Sequence, residues 1–231
     1  MTVSIGPGWS IGAGWEIGTV PDLMLNLDAA TYSGSGDWID SVGGLHFTLN
    51  NSPTYSTNNG GYFNFSPASA QWANSSTSLS DLPKWTVEAW HYYDGTNSGT
   101  NGGLGACIVT EYFTGTPNVI NFSLGNNLGG TSTNIQAGFF NGSWRNTASG
   151  YSLTANAWYH LVGTYDGSTI KFYVNRNLQS STNYVGTPTS GGHGIRLMRR
   201  WDDGDYWGGR LSVVRIYDNA LTQNQALYAI R

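Results

Sequence analysis

The sequence predicts an all-β fold of the sandwich or jelly-roll type, and three observations carry that prediction. Runs of β-branched and aromatic residues recur about every 8 to 15 residues, separated by turns rich in Gly, Asn and Ser. The composition, with 32 glycines, 14% aromatic and only 10% charged residues, is that of a turn-rich β protein and not of a disordered chain. Strands and helices do not alternate along the chain, which argues against a parallel α/β sheet.

The chain length, net charge and cysteine count also limit the possible domain organisation and partners. The 231 residues suffice for one large β domain, and we divide the chain into an arm at 1–20 and a domain at 21–231. A net charge of −4 without a basic run argues against nucleic-acid binding. The only cysteine, Cys107, excludes an intrachain disulfide and lies in an apolar run typical of a core. We see no signal-peptide pattern and no long apolar span, and therefore expect folding in the cytoplasm without membrane insertion.

The first 20 residues contain a six-residue repeat, IGPGWS, then IGAGWE, then IG. Every second residue from 5 to 17 is apolar and most of the others are glycine, which predicts an extended segment with one apolar face. Because glycine loses much entropy on ordering, the segment should not stay straight alone in water. We expect it to dock on another protein or on copies of itself; a disordered leader, or a strand folded back on its own domain, is the alternative. The anchoring residues would be Ile5, Trp9, Ile11, Trp15 and Ile17.

The domain begins with alternating leucines at Leu23, Leu25 and Leu27, which predict the first strand. Asn141-Gly142 predicts a turn before Trp144. Further strands are predicted where apolar runs lie between turn residues, at 45–49, 62–65, 69–73, 84–93, 105–113, 119–124, 135–140, 195–200 and 210–217.

The strongest local pattern lies at 157–175, where Asp166-Gly167 separates two apolar runs and predicts a β-hairpin. A two-residue turn would pair Tyr165 with Ser168 and Leu161 with Phe172. This register places one apolar set on a single face of the hairpin: Tyr159, Leu161, Ile170, Phe172 and Val174. The opposite face would carry Trp158, His160, Val162, Lys171 and Tyr173.

One short helix is predicted near the end of the chain. Thr222 and Gln225 have the spacing of a capping box, in which a threonine side chain and a glutamine side chain each bond the other's backbone N–H. The apolar residues Ala226, Leu227 and Ile230 would then face the sandwich.

Taken in order, these segments resemble the laminin G-like branch of the concanavalin A-like jelly rolls over about residues 23–230. The resemblance is carried by LNLDAATYSGSGDWIDSVGG, PKWTVEAWHYY, AWYHLVGTYDGSTIKFYVNRNL and IRLMRRWDDGDYWGGRLSVVRIYDNALTQNQ. It implies a jelly-roll β-sandwich that follows the extended Gly/Trp-rich arm and ends in the short helix. It does not by itself imply a function, because this fold hosts lectins, adhesion modules, hydrolases and passive structural domains.

The repeat ahead of such a domain resembles virion proteins of bacteriophages, particularly cyanophages. This resemblance implies a non-enzymatic structural protein of a virion assembled in the host cytoplasm, either a capsid decoration or a tail or fibre component. The arm would hold a virion neighbour or copies of the same chain, with a homotrimer as one compatible assembly, and the jelly roll would project outward. A lectin module that binds host-surface glycans is the alternative, and a glycoside hydrolase is a distant one.

Catalysis finds little support in the acidic residues. A glycoside hydrolase needs two carboxylates about 5–9 Å apart, but the chain has only Glu16, Glu88 and Glu111, and no Glu-x-Asp or Glu-x-Glu pair. We expect Glu88 to be a structural carboxylate bonded to backbone or to an arginine. The four histidines lack metal-ligand spacing, and His160 is expected to be a packed residue.

A loop at 201–207 combines aromatic rings with carboxylates, the side chains that stack on sugars and bond their hydroxyls. The alternative is that these aromatics cover the core. Tyr112-Phe113 and residues 141–145 are weaker candidates of the same kind. The candidate glycan contacts in the loop are Trp201, Asp203, Asp205, Tyr206 and Trp207.

Calcium is the one cofactor that the family resemblance suggests, because laminin G-like domains often hold it at the rim of the sandwich. The densest acidic cluster, Asp202, Asp203 and Asp205, would hold the ion. Arg199 and Arg200 precede this cluster directly, so charge pairing is the competing interpretation.

Overall fold

The computed structural model describes residues 22–98, 106–112, 119–126, 134–148, 150–202 and 204–228. The predicted arm, with Ile5, Trp9, Ile11, Trp15 and Ile17, lies outside the described residues, and so does Asp203.

Antiparallel strands account for most of the described chain, joined by turns and three short 3-10 segments. In chain order the strands are β1 (Leu23–Asp28), β2 (Trp38–Ile39), β3 (His46–Asn50), β4 (Thr54–Ser56), β5 (Tyr62–Phe65), β6 (Trp72–Ser75), β7 (Trp85–Tyr93), β8 (Asn97–Ser98), β9 (Cys107–Glu111), β10 (Val119–Asn126), β11 (Ile135–Asn141), β12 (Trp144–Asn146), β13 (Ala157–Tyr165), β14 (Thr169–Val174), β15 (Asn177–Asn183), β16 (Ile195–Leu197), β17 (Tyr206–Trp207) and β18 (Gly209–Tyr217); helix α1 (Gln223–Tyr228) follows them.

Two large sheets form the sandwich. Sheet 1 has the order β15-β14-β13-β7-β18-β5-β4, and sheet 2 the order β12-β11-β10-β9-β16-β6-β3-β2. One edge of β18 pairs with β7, while its other edge is shared by β5 and β1. The two short strands β8 and β17 pair with each other outside both sheets. The predicted all-β sandwich with one short terminal helix is therefore confirmed.

A single apolar core fills the space between the sheets. The side chains of Trp38, Trp85, Phe122, Phe139 and Tyr165 are fully buried in it. Each such aromatic removes about 150–250 Å² of surface from water, so this layer accounts for much of the apolar burial that holds the sheets together.

The two sheets approach each other closely where Gly163 of β13 faces Ala137 of β11. A Cβ atom placed on Gly163 would lie 2.6 Å from the Ala137 Cβ atom, much less than a van der Waals contact. Glycine at this position lets the backbones of the two sheets approach each other.

The hairpin at 157–175 is present, but its predicted register is wrong by two residues. Tyr165 pairs with Ile170 and Leu161 with Val174, so four residues form the turn. The Asp166 carboxylate accepts hydrogen bonds from the backbone N–H groups of Ser168 and Thr169, both at 2.8 Å. This carboxylate-closed turn is longer than the predicted two-residue turn. Because the shift is an even number, each side chain keeps the face that the sequence assigned to it.

Two predicted strand boundaries are also wrong, for backbone reasons. Residues Pro67–Ser69 form a 3-10 turn and Ala70 has φ +51°, so the strand predicted at 69–73 begins only at Trp72. The strand predicted at 195–200 ends at Leu197 because Met198 has φ +63°.

The predicted capping box of α1 is confirmed. The Thr222 backbone N–H donates to Gln225 Oε1 at 2.8 Å, and the Gln225 N–H donates to Thr222 Oγ1 at 3.3 Å. The side chains of Ala226, Leu227 and Ile230 lie outside the described part of the chain, so their predicted packing stays a prediction.

The single cysteine occupies the core position that its apolar neighbours predict. Cys107 is fully buried in β9, and burial raises the pKa of its thiol to about 12. Among the described residues, no helix is long and apolar enough to cross a membrane.

Candidate functional site

A cavity of about 250 Å³ opens on the outer face of sheet 2, where β6, β16 and the end of β9 meet the turn that precedes β16. Its lining combines two aromatic rings with amide, hydroxyl, imidazole and guanidinium groups. The lining residues are Trp72, Asn74, Ser75, Ser76, Tyr112, His193 and Arg196.

Strand alternation explains why these side chains face outward. In β6, Ala73 and Ser75 are buried while Trp72 and Asn74 are only partly covered. Asn74 lies beside Arg196 of β16, which places both side chains on the outer face. The cavity is therefore built on sheet backbone, a rigid support for a binding site.

The aromatic wall of the cavity is fixed by arginine stacking. The Arg196 Cζ atom lies 3.5 Å from the centroid of the Tyr112 ring and 5.0 Å from that of Trp72. Arg199 covers Trp72 as well, with its Cζ atom 4.3 Å from the ring centroid. The Arg196 side chain is only 3% exposed, and its Nη1 donates to the Arg200 carbonyl at 3.0 Å. These cation–π contacts hold the Trp72 indole in place before any ligand arrives.

Polar groups complete the cavity. The Asn74 amide is oriented on both sides, because its Oδ1 accepts from Asn50 at 2.8 Å and its Nδ2 donates to the Ser75 carbonyl at 3.2 Å. The Nε2 atom of His193 is buried and has no hydrogen-bond partner among the described residues. Such a mixture of flat apolar rings and oriented polar groups suits a ligand that has both C–H faces and hydroxyls.

A buried carboxylate supports the wall of the cavity from behind. Glu111 is 1% exposed, and its Oε1 accepts hydrogen bonds from the hydroxyls of Ser78 and of Ser190, the latter at 2.6 Å. Its Oε2 accepts from the Asn121 backbone N–H at 2.5 Å. Burial raises the pKa of Glu111 to about 6, although these hydrogen bonds oppose the shift. Glu111 thus fastens the segments around residues 78 and 190 to the end of β9.

The loop predicted to bind glycans is used largely for structure. Trp207 is 2% exposed and its indole Nε1 donates to His91 Nε2 at 2.9 Å, while Asp205 is 1% exposed. Neither side chain offers a face to a sugar, because the sandwich itself covers them. Tyr206 is half-buried beside Arg199, and Trp201 packs edge-on against Trp144 at 4.7 Å between ring centroids.

The two acidic residues of this loop that the structure describes, Asp202 and Asp205, are paired with an arginine. Asp202 Oδ1 lies 2.6 Å from Arg200 Nε and its Oδ2 lies 2.7 Å from Nη2, while Asp205 Oδ2 lies 3.8 Å from Nη1. For these two residues the structure therefore shows the charge pairing that the sequence analysis gave as the alternative to a calcium site. Within the described ranges, no group of three or more His, Cys, Asp or Glu side chains is placed to hold a metal ion.

Glu88 has the structural environment that we expected of it. Its Oε1 lies 2.9 Å from His160 Nε2 and 3.4 Å from Arg215 Nη1, and the carboxylate is fully buried. His160 is 2% exposed and stacks on Trp90 at 4.7 Å between ring centroids, so its prediction as a packed residue is confirmed.

Sequence reasoning missed most of the cavity. Of its lining residues only Tyr112 was among the candidates, and that as a weaker one. Trp72 lay in a strand predicted three residues too early, so its face could not be assigned. The alternation of Trp72 and Asn74 with small buried residues was the available signal.

Comparison with known proteins places the fold. A family model described as the concanavalin A-like lectin/glucanases superfamily matches residues 59–226. A search of curated proteins finds no match.

Several solved structures share the architecture. Domain 4 of AbnA, a GH43 extracellular arabinanase from Geobacillus stearothermophilus solved with arabinotriose, superposes with a TM-score of 0.70 and 17% identity, covering 90% of this chain and 97% of that one. The receptor-binding domain of botulinum neurotoxin type G gives 0.61 and 12%, over 89% of this chain and 50% of that one. The binding domain of Paraclostridial Mosquitocidal Protein 1 gives 0.62 and 15%, over 89% and 51%. This chain thus spans about half of each toxin domain, and at these identities the likeness shows the fold alone.

Proposed function

Because the chain belongs to the concanavalin A-like lectin/glucanases superfamily, we propose that it is a non-catalytic carbohydrate-binding module whose glycan site is the cavity on sheet 2. The observation that carries this proposal is the lining of the cavity. Trp72 and Tyr112, held by stacked arginines, contribute ring atoms to the lining, while Asn74 and His193 contribute polar side chains within the same 250 Å³. Sugars require this combination, because they present C–H patches and hydroxyl groups on one molecule.

Two further points support the proposal. The arabinanase domain that shares the fold was solved with an arabinotriose bound to it, so this architecture accepts a sugar there. The two glutamates that the structure describes are engaged elsewhere, Glu88 with His160 and Arg215 and Glu111 with backbone and hydroxyl donors. Both therefore serve as structural carboxylates in the proposed module and not as an acid/base pair.

The test is a glycan array followed by titration of each hit against two variants. Trp72→Ala should weaken binding about tenfold or more, since removing a central aromatic contact of a binding site costs more than about 1 kcal/mol. Trp201→Ala is the matched control, because Trp201 is a half-buried tryptophan on the same face but outside the cavity lining. It should leave the affinity unchanged.

The same pair of variants distinguishes the cavity from the 201–207 loop. If Trp72→Ala binds the glycan as tightly as the wild type and Trp201→Ala loses that binding, the glycan site lies in the 201–207 loop and not in the cavity. An array without hits, with and without calcium, would remove the carbohydrate proposal. Release of reducing ends from any polysaccharide on the array would contradict the non-catalytic part.

A second candidate role, virion attachment, rests on the repeat at residues 5–18. The sequence IGPGWS-IGAGWE would anchor the module to another virion protein or to copies of itself, so that the cavity faces host-surface glycans. The two roles are compatible, because the arm and the cavity are separate parts of the chain. Removal of residues 1–20 separates them experimentally.

A further inference from the structure

The outer face of sheet 1 carries a row of side chains that the cavity does not use. The strand registers place five residues side by side across five strands. From β4 to β13 they are Thr54, Asn64, Arg210, Tyr92 and Trp158. Neighbouring strands are about 4.8 Å apart, so the row is about 19 Å long with a guanidinium at its centre.

Aromatic rings hold this guanidinium in position. The Arg210 Cζ atom lies 4.5 Å from the centroid of the Tyr92 ring and 4.8 Å from that of Tyr62. Trp158 packs edge-on against both tyrosines, with ring centroids 5.6 and 6.1 Å away. All four side chains are half-buried. Arg210 is therefore ordered before a ligand binds, which reduces the entropy that binding would cost.

Arg210 differs from Arg200 and Arg215 in having no carboxylate partner among the described residues. Arg200 pairs with Asp202, and Arg215 pairs with Glu88. In the described part of the chain, no carboxylate lies within ion-pairing distance of Arg210. A guanidinium with clamped faces presents the N–H groups at its edge, the fork that matches a carboxylate in a bidentate pair.

Amide groups flank the same patch. Asn64 is the direct cross-strand neighbour of Arg210, and Asn156 Oδ1 accepts a hydrogen bond from the Tyr92 hydroxyl at 3.4 Å. Farther along β7 the same face is covered at Thr86, which is fully buried and whose hydroxyl donates to the Asn219 carbonyl at 2.8 Å.

We propose that this Arg210 patch, formed by Tyr62, Asn64, Tyr92, Trp158 and Arg210, is a second binding site that takes a carboxylate-bearing sugar unit. The guanidinium pairs with the carboxylate, the rings contact the C–H faces of the sugar, and the asparagines bond its hydroxyls. The site lies on the sheet opposite the cavity and does not depend on it.

The surroundings favour a sugar over a protein partner. A stable protein interface covers about 800 Å² on each partner and has an apolar centre. The large apolar side chains that are exposed in the described residues are Ile39, Val42, Leu178 and Val185, and none belongs to this patch. A single charged group held between two tyrosine rings offers contacts for one sugar unit and not for a broad protein surface.

The experiment titrates the whole chain with trigalacturonate and with 3′-sialyllactose, using lactose as the neutral control and a hexaglutamate peptide as the acidic non-sugar control. Arg210→Gln should weaken binding of at least one acidic sugar about tenfold or more, whereas Trp72→Ala should leave that binding unchanged. Arg210→Lys, which keeps the charge but not the fork, should fall between wild type and Arg210→Gln. On the wild-type chain, NMR signals of the Trp158 indole should shift with the acidic sugar and not with lactose.

Any of the following results would overturn the proposal. One is equal affinity of the wild type and Arg210→Gln for both acidic sugars, or no binding of either by the wild type at millimolar concentration. Another is hexaglutamate binding as tightly as the acidic sugars, which would indicate a protein partner. The third is loss of acidic-sugar binding in Trp72→Ala with retention in Arg210→Gln, which would assign those ligands to the cavity. The Trp158 signals keep the test valid if Arg210→Gln fails to fold.

Discussion

His91 illustrates how single polar residues are fixed inside this sandwich. Its Nε2 accepts from the Trp207 indole at 2.9 Å, and its Nδ1 lies 3.0 Å from the Arg210 carbonyl, to which it donates. Burial lowers the pKa of His91 to about 3, so the ring is neutral at physiological pH and only one tautomer satisfies both partners. Trp207 is therefore retained by a core hydrogen bond.

Glu111 gives a residue-scale prediction about pH. Its pKa of about 6 lies above the ordinary value of 4.5, so the folded protein binds this proton more tightly than the unfolded chain does. Stability from this group is therefore greatest below pH 4.5 and is lost as the pH rises towards 6 and above. The shift corresponds to about 2 kcal/mol.

The measurement compares the free energy of unfolding of wild type and Glu111→Gln at pH 4 and pH 7.5. Relative to the variant, the wild type should lose about 2 kcal/mol between these values. Other carboxylates titrate in both proteins and cancel in the comparison. Parallel pH profiles, or a carboxyl carbon NMR titration of Glu111 with a midpoint near 4.5, would contradict the assignment.

At the scale of single residues, the sequence predicted a role correctly where the charge of the side chain determines it. A carboxylate buried in a sheet requires a charged or hydrogen-bonding partner, and Glu88 contacts Arg215 and His160. For tryptophans the sequence was less informative. Trp72 and Trp207 both adjoin polar residues, but one lines the cavity and the other lies in the core. The difference depends on which face of a strand each occupies, and a slip of one residue in the assumed alternation reverses that answer.

Among the elements, the hairpin of β13 and β14 shows what local pattern can specify. The alternation of side chains fixed both faces correctly. The turn length depended on hydrogen bonds of the Asp166 side chain, which carry no periodic signal. The register error was therefore an even number of residues and left the core assignment intact.

The contact between β13 and β11 gives a prediction at the element scale. Gly163→Ala should destabilise the domain by about 1–3 kcal/mol, because the new methyl would lie 2.6 Å from the Ala137 Cβ atom and overpack the core. Urea unfolding measures the effect.

Ala137→Gly provides the matched control for this prediction. In the Gly163→Ala background it removes the atom that the new methyl strikes, so the double variant should recover part of the lost stability. If the two single effects simply add, the close approach of the sheets is not the cause.

For the whole molecule, the sequence predicted the architecture better than the site. The fold follows from many weak, consistent signals spread over the chain, and errors at single boundaries do not change it. A binding cavity depends on a few side chains that distant segments bring together. Trp72, Tyr112 and His193 are separated by 40 residues or more along the chain, and only the sheet order places β6, β9 and β16 side by side.

Removal of residues 1–20 is the prediction that belongs to this scale. If the arm anchors the module in a virion, the truncated chain should stay folded and keep glycan binding, but should no longer be incorporated into particles. Particle content is measured by mass spectrometry of purified virions.

The control for this truncation keeps the length of the arm and changes its apolar face. Replacing Trp9 and Trp15 by serine should reproduce the loss of incorporation, since these are the two largest apolar side chains among the anchoring residues. Normal incorporation of the truncated chain would exclude the anchoring role.

The burial of Cys107 has a practical consequence for all of these measurements. Its thiol is fully buried and has a pKa of about 12, so thiol-specific reagents react with it only when the sandwich opens. The native chain therefore behaves in labelling chemistry like a cysteine-free protein. A cysteine introduced at a surface position such as Leu178, which is 47% exposed, would take a single fluorophore or spin label without background. In the unmodified chain, the rate at which Cys107 is labelled would report how often the sandwich opens.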